Sequence, residues 1–259
     1  MSHHSCSGSN VLSHPRRGLY GVAAFFFIVL VMWPLFKEFA VFQDEGRSYW
    51  LWAGITEMDL PAGSVDALYI YQGVIENRSG EVRYSRHGLF PFPLRKGKKV
   101  YLVFRQEGDW PEARAMAALY EETASAWRRH AVNVRGLQID ADVPTSKLEA
   151  YGRYIEALRA ALPQTEGLSV TGLCDWIVRG DPAALRRLAT VADGIVFQFY
   201  RGRRPLADEA FYANALKKAN YPFQIGLLEK GGISNAVAGL KTNPYYKGVV
   251  FFIQKEGAP

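Results

Sequence analysis

Short apolar runs alternate with amphipathic segments along most of this chain, a pattern typical of a parallel α/β fold. Eight apolar runs have the length and composition of strands, at residues 49–54, 67–73, 100–106, 136–142, 168–173, 194–200, 223–228 and 248–254. Helical periodicity occupies residues 110–130, 145–162, 182–191, 208–219 and 233–240. Eight strands joined largely by helices predict one small (β/α)8 barrel of the TIM type over residues 49–259.

The connections near the start of the predicted barrel are unusual. Residues 55–63 and 74–99 carry little helical periodicity. Residues 81–87 instead predict an extra hairpin strand, with a turn at Asn77-Arg78-Ser79-Gly80. A doubly wound open sheet is the alternative architecture, but the glycine fingerprint typical of nucleotide-binding sheets does not follow the first strand.

An uncharged apolar run covers residues 18–36 and is long enough to cross a hydrocarbon core of about 30 Å. Arg16 and Arg17 precede it, and a basic flank on this side favours a cytoplasmic N-terminus. The sequence thus predicts a disordered cytoplasmic tail (1–17), a single transmembrane anchor in the inner membrane (18–36), a linker (37–48) and a periplasmic barrel. A cleavable signal peptide is the alternative, although Glu38-Phe39-Ala40 offers a single small residue for cleavage.

Composition and charge limit the kinds of molecule that this chain is expected to bind. The 259 residues carry a formal charge of +6, but the basic residues are dispersed, with short clusters only at residues 96–99 and 201–204. A nucleic-acid-binding face would be continuous and interleaved with aromatic side chains, so no nucleic-acid partner is expected. Cys6 and Cys174 fall on opposite sides of the predicted anchor and cannot pair there. Since no Cys or His spacing typical of metal ligands occurs, no metal or cofactor is predicted.

The segment Gly136-Leu137-Gln138-Ile139-Asp140-Ala141-Asp142 is the strongest indication of chemistry. Strand alternation directs Gln138, Asp140 and Asp142 to one face, and barrel enzymes keep their chemistry at the carboxyl ends of the strands. Two close carboxylates repel, which favours a protonated acid able to donate to a glycosidic oxygen. Alternatively, Asp140 pairs with an arginine and Asp142 caps the helix predicted to start at Thr145.

A glycosidase usually needs a second carboxylate or a substrate group in its place. Glu229, just after the seventh predicted strand, is the candidate, and a surface glutamate beside Lys230 is the alternative. Glu107 and Asp175 are further candidates. The pair Gly231-Gly232 offers a weaker alternative, an anion site of a phosphate-binding enzyme.

Other side chains are predicted to bind a sugar chain at the same end of the barrel. The aromatic candidates fall near strand ends, where they would stack on a sugar or simply pack in the core: Trp52, Tyr71, Trp176 and Tyr200. The polar candidates would hydrogen-bond hydroxyl groups or pair within the barrel: Gln72, Arg105, Gln138, Gln198 and Arg201.

The strand carrying the two aspartates resembles the strand-four motif of chitinase-type glycoside hydrolases, Gly-hydrophobic-Asp-hydrophobic-Asp-x-Glu. On this resemblance Asp140 takes the place of the inner aspartate and Asp142 that of the general-acid glutamate. Two positions depart from the motif, because Gln138 replaces its first aspartate and Asp142 is one methylene shorter than glutamate.

The span 49–254 also resembles a bacterial family known only as a domain of unknown function. That resemblance is carried by Gly136-Leu137-Gln138-Ile139-Asp140, Leu168-Ser169-Val170-Thr171-Gly172-Leu173, Asp175-Trp176, Val196-Phe197-Gln198, Tyr200-Arg201-Gly202-Arg203 and Phe223-Gln224-Ile225-Gly226-Leu227. It implies a glycosidase-like barrel. The expected function is a membrane-anchored barrel that acts on or binds a polysaccharide, and the alternative is a non-catalytic carbohydrate-binding or envelope assembly module.

Overall fold

The computed structural model describes residues 47–52, 54–61, 65–95 and 97–253. The predicted tail, the apolar run 18–36 and most of the linker lie outside these ranges, so the anchor stays a prediction. Within the described ranges, no helix combines the length and the apolar character needed to cross a membrane.

Eight parallel strands form a closed barrel, as the sequence predicts. In chain order the strands are β1 (Arg47–Leu51), β2 (Val65–Arg78), β3 (Glu81–Arg86), β4 (Lys99–Gly108), β5 (Val134–Asp140), β6 (Gly167–Leu173), β7 (Gly194–Gln198), β8 (Tyr200–Arg201), β9 (Arg204–Pro205), β10 (Phe223–Leu228) and β11 (Tyr246–Phe252). The barrel order is β1-β2-β4-β5-β6-β7-β10-β11. The barrel is closed because β1 pairs with both β2 and β11, with Tyr49 opposite Leu68 on one side and Phe251 on the other.

The remaining strands, β3, β8 and β9, lie at the carboxyl end of the barrel. The predicted hairpin is confirmed, since β3 pairs antiparallel with the last part of β2, from Gly73 opposite Arg86 to Arg78 opposite Glu81. β8 and β9 form a two-residue ribbon just after β7. A register shift between Tyr71 and Gly73 of β2 interrupts the alternation of side chains at Gln72.

Helices follow the later strands. They are α1 (Ala113–Arg128), α2 (Leu148–Ala161), α3 (Asp175–Arg179), α4 (Pro182–Val191), α5 (Glu209–Leu216) and α6 (Asn235–Ala238), with 3-10 turns at Glu57–Asp59, Thr145–Lys147, Glu229–Gly231 and Gly239–Thr242. Asp181 starts α4 by accepting a hydrogen bond from the Ala183 amide at 2.9 Å, and Pro182 occupies the first helical position. Among the described residues, the first two crossovers hold no α-helix, as predicted.

Side-chain alternation divides the barrel strands between two cores. Leu68, Leu102 and Ile139 face outward and pack with the helices in the larger core. Trp50 and Tyr101 face inward, in a smaller core that fills the barrel. Burying each such side chain contributes about 1.5–3 kcal/mol. Toward the carboxyl ends of the strands, the inward positions become polar, and the candidate site lies there.

Candidate functional site

Arg105, the inward residue near the end of β4, organises the carboxylates at the mouth of the barrel. Its Nη1 lies 3.0 Å from Oδ2 of Asp140, its Nη2 2.7 Å from Oδ2 of Asp142, and its Nε 3.2 Å from Oε1 of Glu107. Strand pairing brings Arg105 next to Asp140, because the two residues lie opposite each other on the paired strands β4 and β5. One guanidinium therefore serves three carboxylates, a geometry that its planar array of donors allows.

Asp140 is the buried member of this group, with a side chain only 5% exposed. Its Oδ1 accepts hydrogen bonds from Thr171 Oγ1 at 2.8 Å and Gln198 Nε2 at 3.2 Å. Burial raises the pKa of the Asp140 carboxyl above its ordinary value, and the Arg105 and Thr171 contacts offset that effect only in part. Asp140 is thus a fixed carboxyl group with all its partners in place.

Asp142 lies in a different environment, because β5 ends at Asp140 and not at Asp142 as predicted. The Ala141 amide bonds to Thr171 Oγ1 at 3.2 Å, and the Val143 amide bonds to the Ala141 carbonyl, so the chain turns there. The Asp142 side chain is 53% exposed. No side chain caps the 3-10 turn that begins at Thr145, so the alternative role as a helix cap is not observed.

Five aromatic side chains line one side of the mouth and are called the aromatic wall: Tyr71, Trp52, Phe252, Tyr200 and Trp50. Tyr71 and Trp52 stack with ring centroids 4.0 Å apart, and Trp52 meets Phe252 edge-on at 5.9 Å. Phe252 stacks with Tyr200 at 5.7 Å, and Tyr200 meets Trp50 at 6.4 Å. Burial raises the pKa of the Tyr71 hydroxyl to about 12. The wall is therefore continuous and uncharged near neutral pH.

The opposite side is called the polar wall: Arg105, Asp140, Asp142, Thr171 and Gln198, from β4, β5, β6 and β7 and the loop after β5. The two walls enclose a cleft of about 620 Å³, within the usual range of ligand sites. Asp175 and Tyr212 line the cleft as well, and the Tyr212 hydroxyl lies 3.4 Å from Oδ1 of Asp175. The exposed Arg201 adds a positive charge from the β8–β9 ribbon.

Gln138 lies inside the barrel, completely buried, and does not line the cleft. Its Oε1 accepts from Trp50 Nε1 at 2.6 Å, and its Nε2 lies 3.2 Å from Ser169 Oγ. An aspartate here, as in the chitinase-type motif, would bury another charge. Gln138 supplies a neutral acceptor instead and fixes the Trp50 ring, so it supports the aromatic wall.

Three more predicted site residues, besides Gln138, lie outside the cleft. Trp176 is fully buried and donates to the Val143 carbonyl at 2.7 Å, because the turn after β6 directs it into the outer core. Gln72 is turned outward by the register shift in β2, where its Oε1 accepts from Trp127 Nε1 at 3.0 Å. Glu229 starts a 3-10 turn and lines a separate pocket with Tyr49 and Phe251.

Three further side chains, which are not among the predicted site residues, line the cleft: Thr171, Phe252 and Tyr212. Thr171 holds Asp140, and Phe252 joins Trp52 to Tyr200 in the aromatic wall. Strand alternation carries a signal for both, since Thr171 lies two residues after the inward Ser169 and Phe252 two residues after Val250. Tyr212, on α5, carried no such signal.

Part of the chain matches a known protein family. The family described as "Domain of unknown function (DUF3142)" matches residues 96–227, slightly more than half of the chain. The matched segment contains the whole polar wall and Tyr200. No curated protein matches the sequence.

Several solved structures are similar to this chain. The spore cortex-lytic enzyme SleL of Bacillus cereus is 13% identical, with a TM-score of 0.45 over 83% of this chain and 71% of its own. An endo-beta-N-acetylglucosaminidase from Cordyceps militaris is 12% identical, with a TM-score of 0.42 over 81% of each chain. A chitinase from Rhizomucor miehei is also 12% identical, with a TM-score of 0.42 over 80% of this chain and 94% of its own. At these scores the similarities carry no argument about the site, and the barrel rests on its own strand pairing.

Proposed function

Because this chain belongs to the DUF3142 family, whose function is unknown, we propose its role from the cleft itself: the barrel mouth binds a carbohydrate polymer. The observation that carries the proposal is the arrangement of an aromatic wall opposite a polar wall. A sugar ring has the same division, with C–H groups on its faces and hydroxyl groups on its rim.

The aromatic wall supplies the apolar contact. Trp52 and Tyr200 are only partly buried, and each stacks on another ring of the wall, Trp52 on Tyr71 and Tyr200 on Phe252. Rings held in this way lose little freedom on binding, so more of the contact energy is available for affinity. Aromatic rings of this kind make large flat contacts with C–H groups.

The polar wall supplies donors and acceptors for hydroxyl groups. Gln198 is partly exposed, and its amide bonds to Asp140 at 3.2 Å. Asp142 presents a half-exposed carboxylate at the rim, already paired with Arg105. A hydroxyl group that donates to Asp142 leaves that ion pair intact, so binding needs no uncompensated buried charge.

The test is binding of the full-length chain to a panel of soluble bacterial glycans. Trp52→Ala should weaken the best binding by about tenfold, the order expected for one lost aromatic contact. Tyr245→Ala is the matched control, because Tyr245 is exposed and lies just before β11, at the other end of the barrel. Absence of binding to every glycan, or equal losses in both variants, would contradict the proposal.

Hydrolysis is the second candidate, and one observation favours it. The half-exposed Asp142 lines the cleft together with the buried Asp140 and with Asp175. An accessible carboxyl group at this position is the type of group that exchanges a proton with a glycosidic oxygen. Release of reducing sugar from the bound glycan distinguishes hydrolysis from binding alone.

We also propose that the apolar run 18–36 anchors the barrel to the inner membrane, with the barrel in the periplasm. The support is the uncharged run of spanning length behind Arg16 and Arg17. A reporter enzyme that is active only outside the cytoplasm, fused after Pro259, should be active. Activity only of a cytoplasmic reporter at that position would reverse the topology.

A further inference from the structure

A second cavity lies on the other side of the Arg105–Asp142 ion pair. It has a volume of about 670 Å³, similar to that of the cleft, and Arg105 and Asp142 line both spaces. We call the cleft between the two walls the first lobe and this cavity the second lobe. The two spaces therefore adjoin at this ion pair, which we call the ridge.

The second lobe has its own aromatic platform. Trp110 lines it and stacks nearly parallel to Tyr154 of α2, with centroids 5.7 Å apart and an interplanar angle of 14°. Tyr151 supports the same indole at 5.7 Å. A partly buried tryptophan supported by two tyrosines resembles the supported rings of the first lobe.

The turn that carries Trp110 is fixed by buried amides. Asn77 Nδ2 donates to the Trp110 carbonyl at 3.0 Å, and the Asn77 carbonyl accepts from the Asp109 amide at 2.9 Å. Gly108 adopts a positive φ of 77°, and a Cβ there would meet the Asn77 carbonyl oxygen at 2.2 Å. This turn thus requires glycine, and it holds Trp110 in a defined place before any ligand arrives.

A polar group in the second lobe is left without a partner. Gln106 is 7% exposed and lines the lobe, and its Oε1 has no hydrogen-bond partner among the described residues. Buried acceptors of this kind are nearly always satisfied in folded proteins. A ligand could reach this buried oxygen only if the Gln106 side chain turned, so the polar contacts that the lobe itself offers come from Lys147 and Glu107 at its rim.

We propose that the second lobe is a binding subsite for the same sugar chain, and that a linear oligosaccharide crosses the Arg105–Asp142 ridge with sugar rings on Trp52 and on Trp110. The inference rests on the proposed carbohydrate binding and adds to it a minimum length of ligand. A disaccharide occupies one lobe, whereas a longer chain occupies both.

The test compares short and long oligosaccharides by calorimetry with the full-length chain. Three matched pairs serve as probes: cellobiose with cellohexaose, chitobiose with chitohexaose, and the deacetylated forms of the chito-oligomers. Ala150→Trp fills the second lobe from α2 and keeps the core aromatics, while Ala157→Trp places the same ring on the exposed face of that helix. Trp110→Ala removes the platform.

In the parent chain one hexasaccharide should bind at least about tenfold more tightly than its disaccharide. Ala150→Trp and Trp110→Ala should abolish this gain without changing disaccharide affinity, and Ala157→Trp should keep it. Equal affinity for both lengths, or an unchanged gain in Ala150→Trp, would overturn the proposed subsite in the second lobe. It would leave the proposed carbohydrate binding in the first lobe intact. Failure of all six probes to bind would overturn both proposals.

Discussion

The Arg105 Nη2 atom lies 2.7 Å from Oδ2 of Asp142, and this ion pair compensates the negative charge of Asp142 at the mouth of the barrel. The sequence alone predicted two aspartates that repel each other. The structure places a guanidinium within hydrogen-bonding distance of both, so the charges are compensated and the repulsion is reduced. An exposed aspartate paired with arginine suits hydrogen bonding to a sugar at least as well as proton donation.

Arg105 should therefore matter for stability as well as for binding. Arg105→Met keeps much of the side-chain volume and leaves Asp140 buried without its cation, which should lower the free energy of unfolding by about 3 kcal/mol. Arg153→Met is the control, because the Arg153–Glu149 pair on α2 is more than half exposed and should contribute only about 0.3–0.5 kcal/mol. Urea denaturation measures both, and equal losses would show that Asp140 does not depend on Arg105.

The raised pKa of Asp140 predicts a specific pH dependence. Below the ordinary carboxyl pKa of 3.8 the group is protonated in both the folded and the unfolded chain. As the pH rises above that value, the unfolded chain loses the proton first, so the folded state holds more protons and loses stability. The loss ends once the pH exceeds the raised folded pKa.

Asp140→Asn removes this titration and provides the reference. The free energy of unfolding of the parent minus that of Asp140→Asn should fall as the pH is raised from about 3, and then level off. A difference that rises with pH would mean that the contacts with Arg105 and Thr171 outweigh burial.

Much of the fold could be predicted because it depends on local pattern. The apolar runs located all eight barrel strands, and the bounds of β10 match their prediction at both ends. The missing early helices and the hairpin at β3 were predicted from turn residues and weak helical periodicity. Strand alternation also directed Asp140 and Gln198 to the same interior, where they now bond to each other.

The remaining positions depend on features that alternation does not carry. The register shift at Gln72 turns that side chain to the opposite face of β2 from the one that alternation predicts. Such a bulge depends on how β2 pairs with β4 and not on the local sequence. Trp176 follows a strand, as Trp52 does, but the turn into α3 buries it among the helices. The ion pair of Asp142 required knowing that β4 lies beside β5 in register, a tertiary fact.

A glycine beneath the aromatic wall offers a test of the site that removes no site residue. A Cβ on Gly226 of β10 would lie 2.7 Å from the Trp50 ring, so Gly226→Ala should displace that ring and its bond to Gln138. We expect a loss of about 1–3 kcal/mol in stability from overpacking, together with weaker glycan binding. Binding by calorimetry and unfolding by urea measure the two effects.

Gly152→Ala is the matched control for this change. Gly152 lies inside α2, and a Cβ there would meet no atom within 4 Å. Alanine is favoured over glycine in a helix by about 1 kcal/mol, so this variant should be more stable and bind as the parent does. If Gly226→Ala also bound normally, the position of Trp50 would not matter for the ligand.

The last prediction separates the two candidate functions at Asp142. Asp142→Asn keeps the shape of the side chain and one oxygen for Arg105, but it cannot donate or accept a catalytic proton. If the parent releases reducing sugar, this variant should lower turnover by about 10²-fold or more, the usual contribution of an acid–base group, with affinity nearly unchanged. Glu107→Gln is the comparison variant, because it removes the other carboxylate that pairs with Arg105, one that lines the second lobe and not the first. Equal losses in both variants would assign the effect to the charge around Arg105 and not to proton transfer by Asp142. Sugar binding with no release by the parent at any pH would leave binding as the function, with Asp142 as a hydrogen-bonding rim residue.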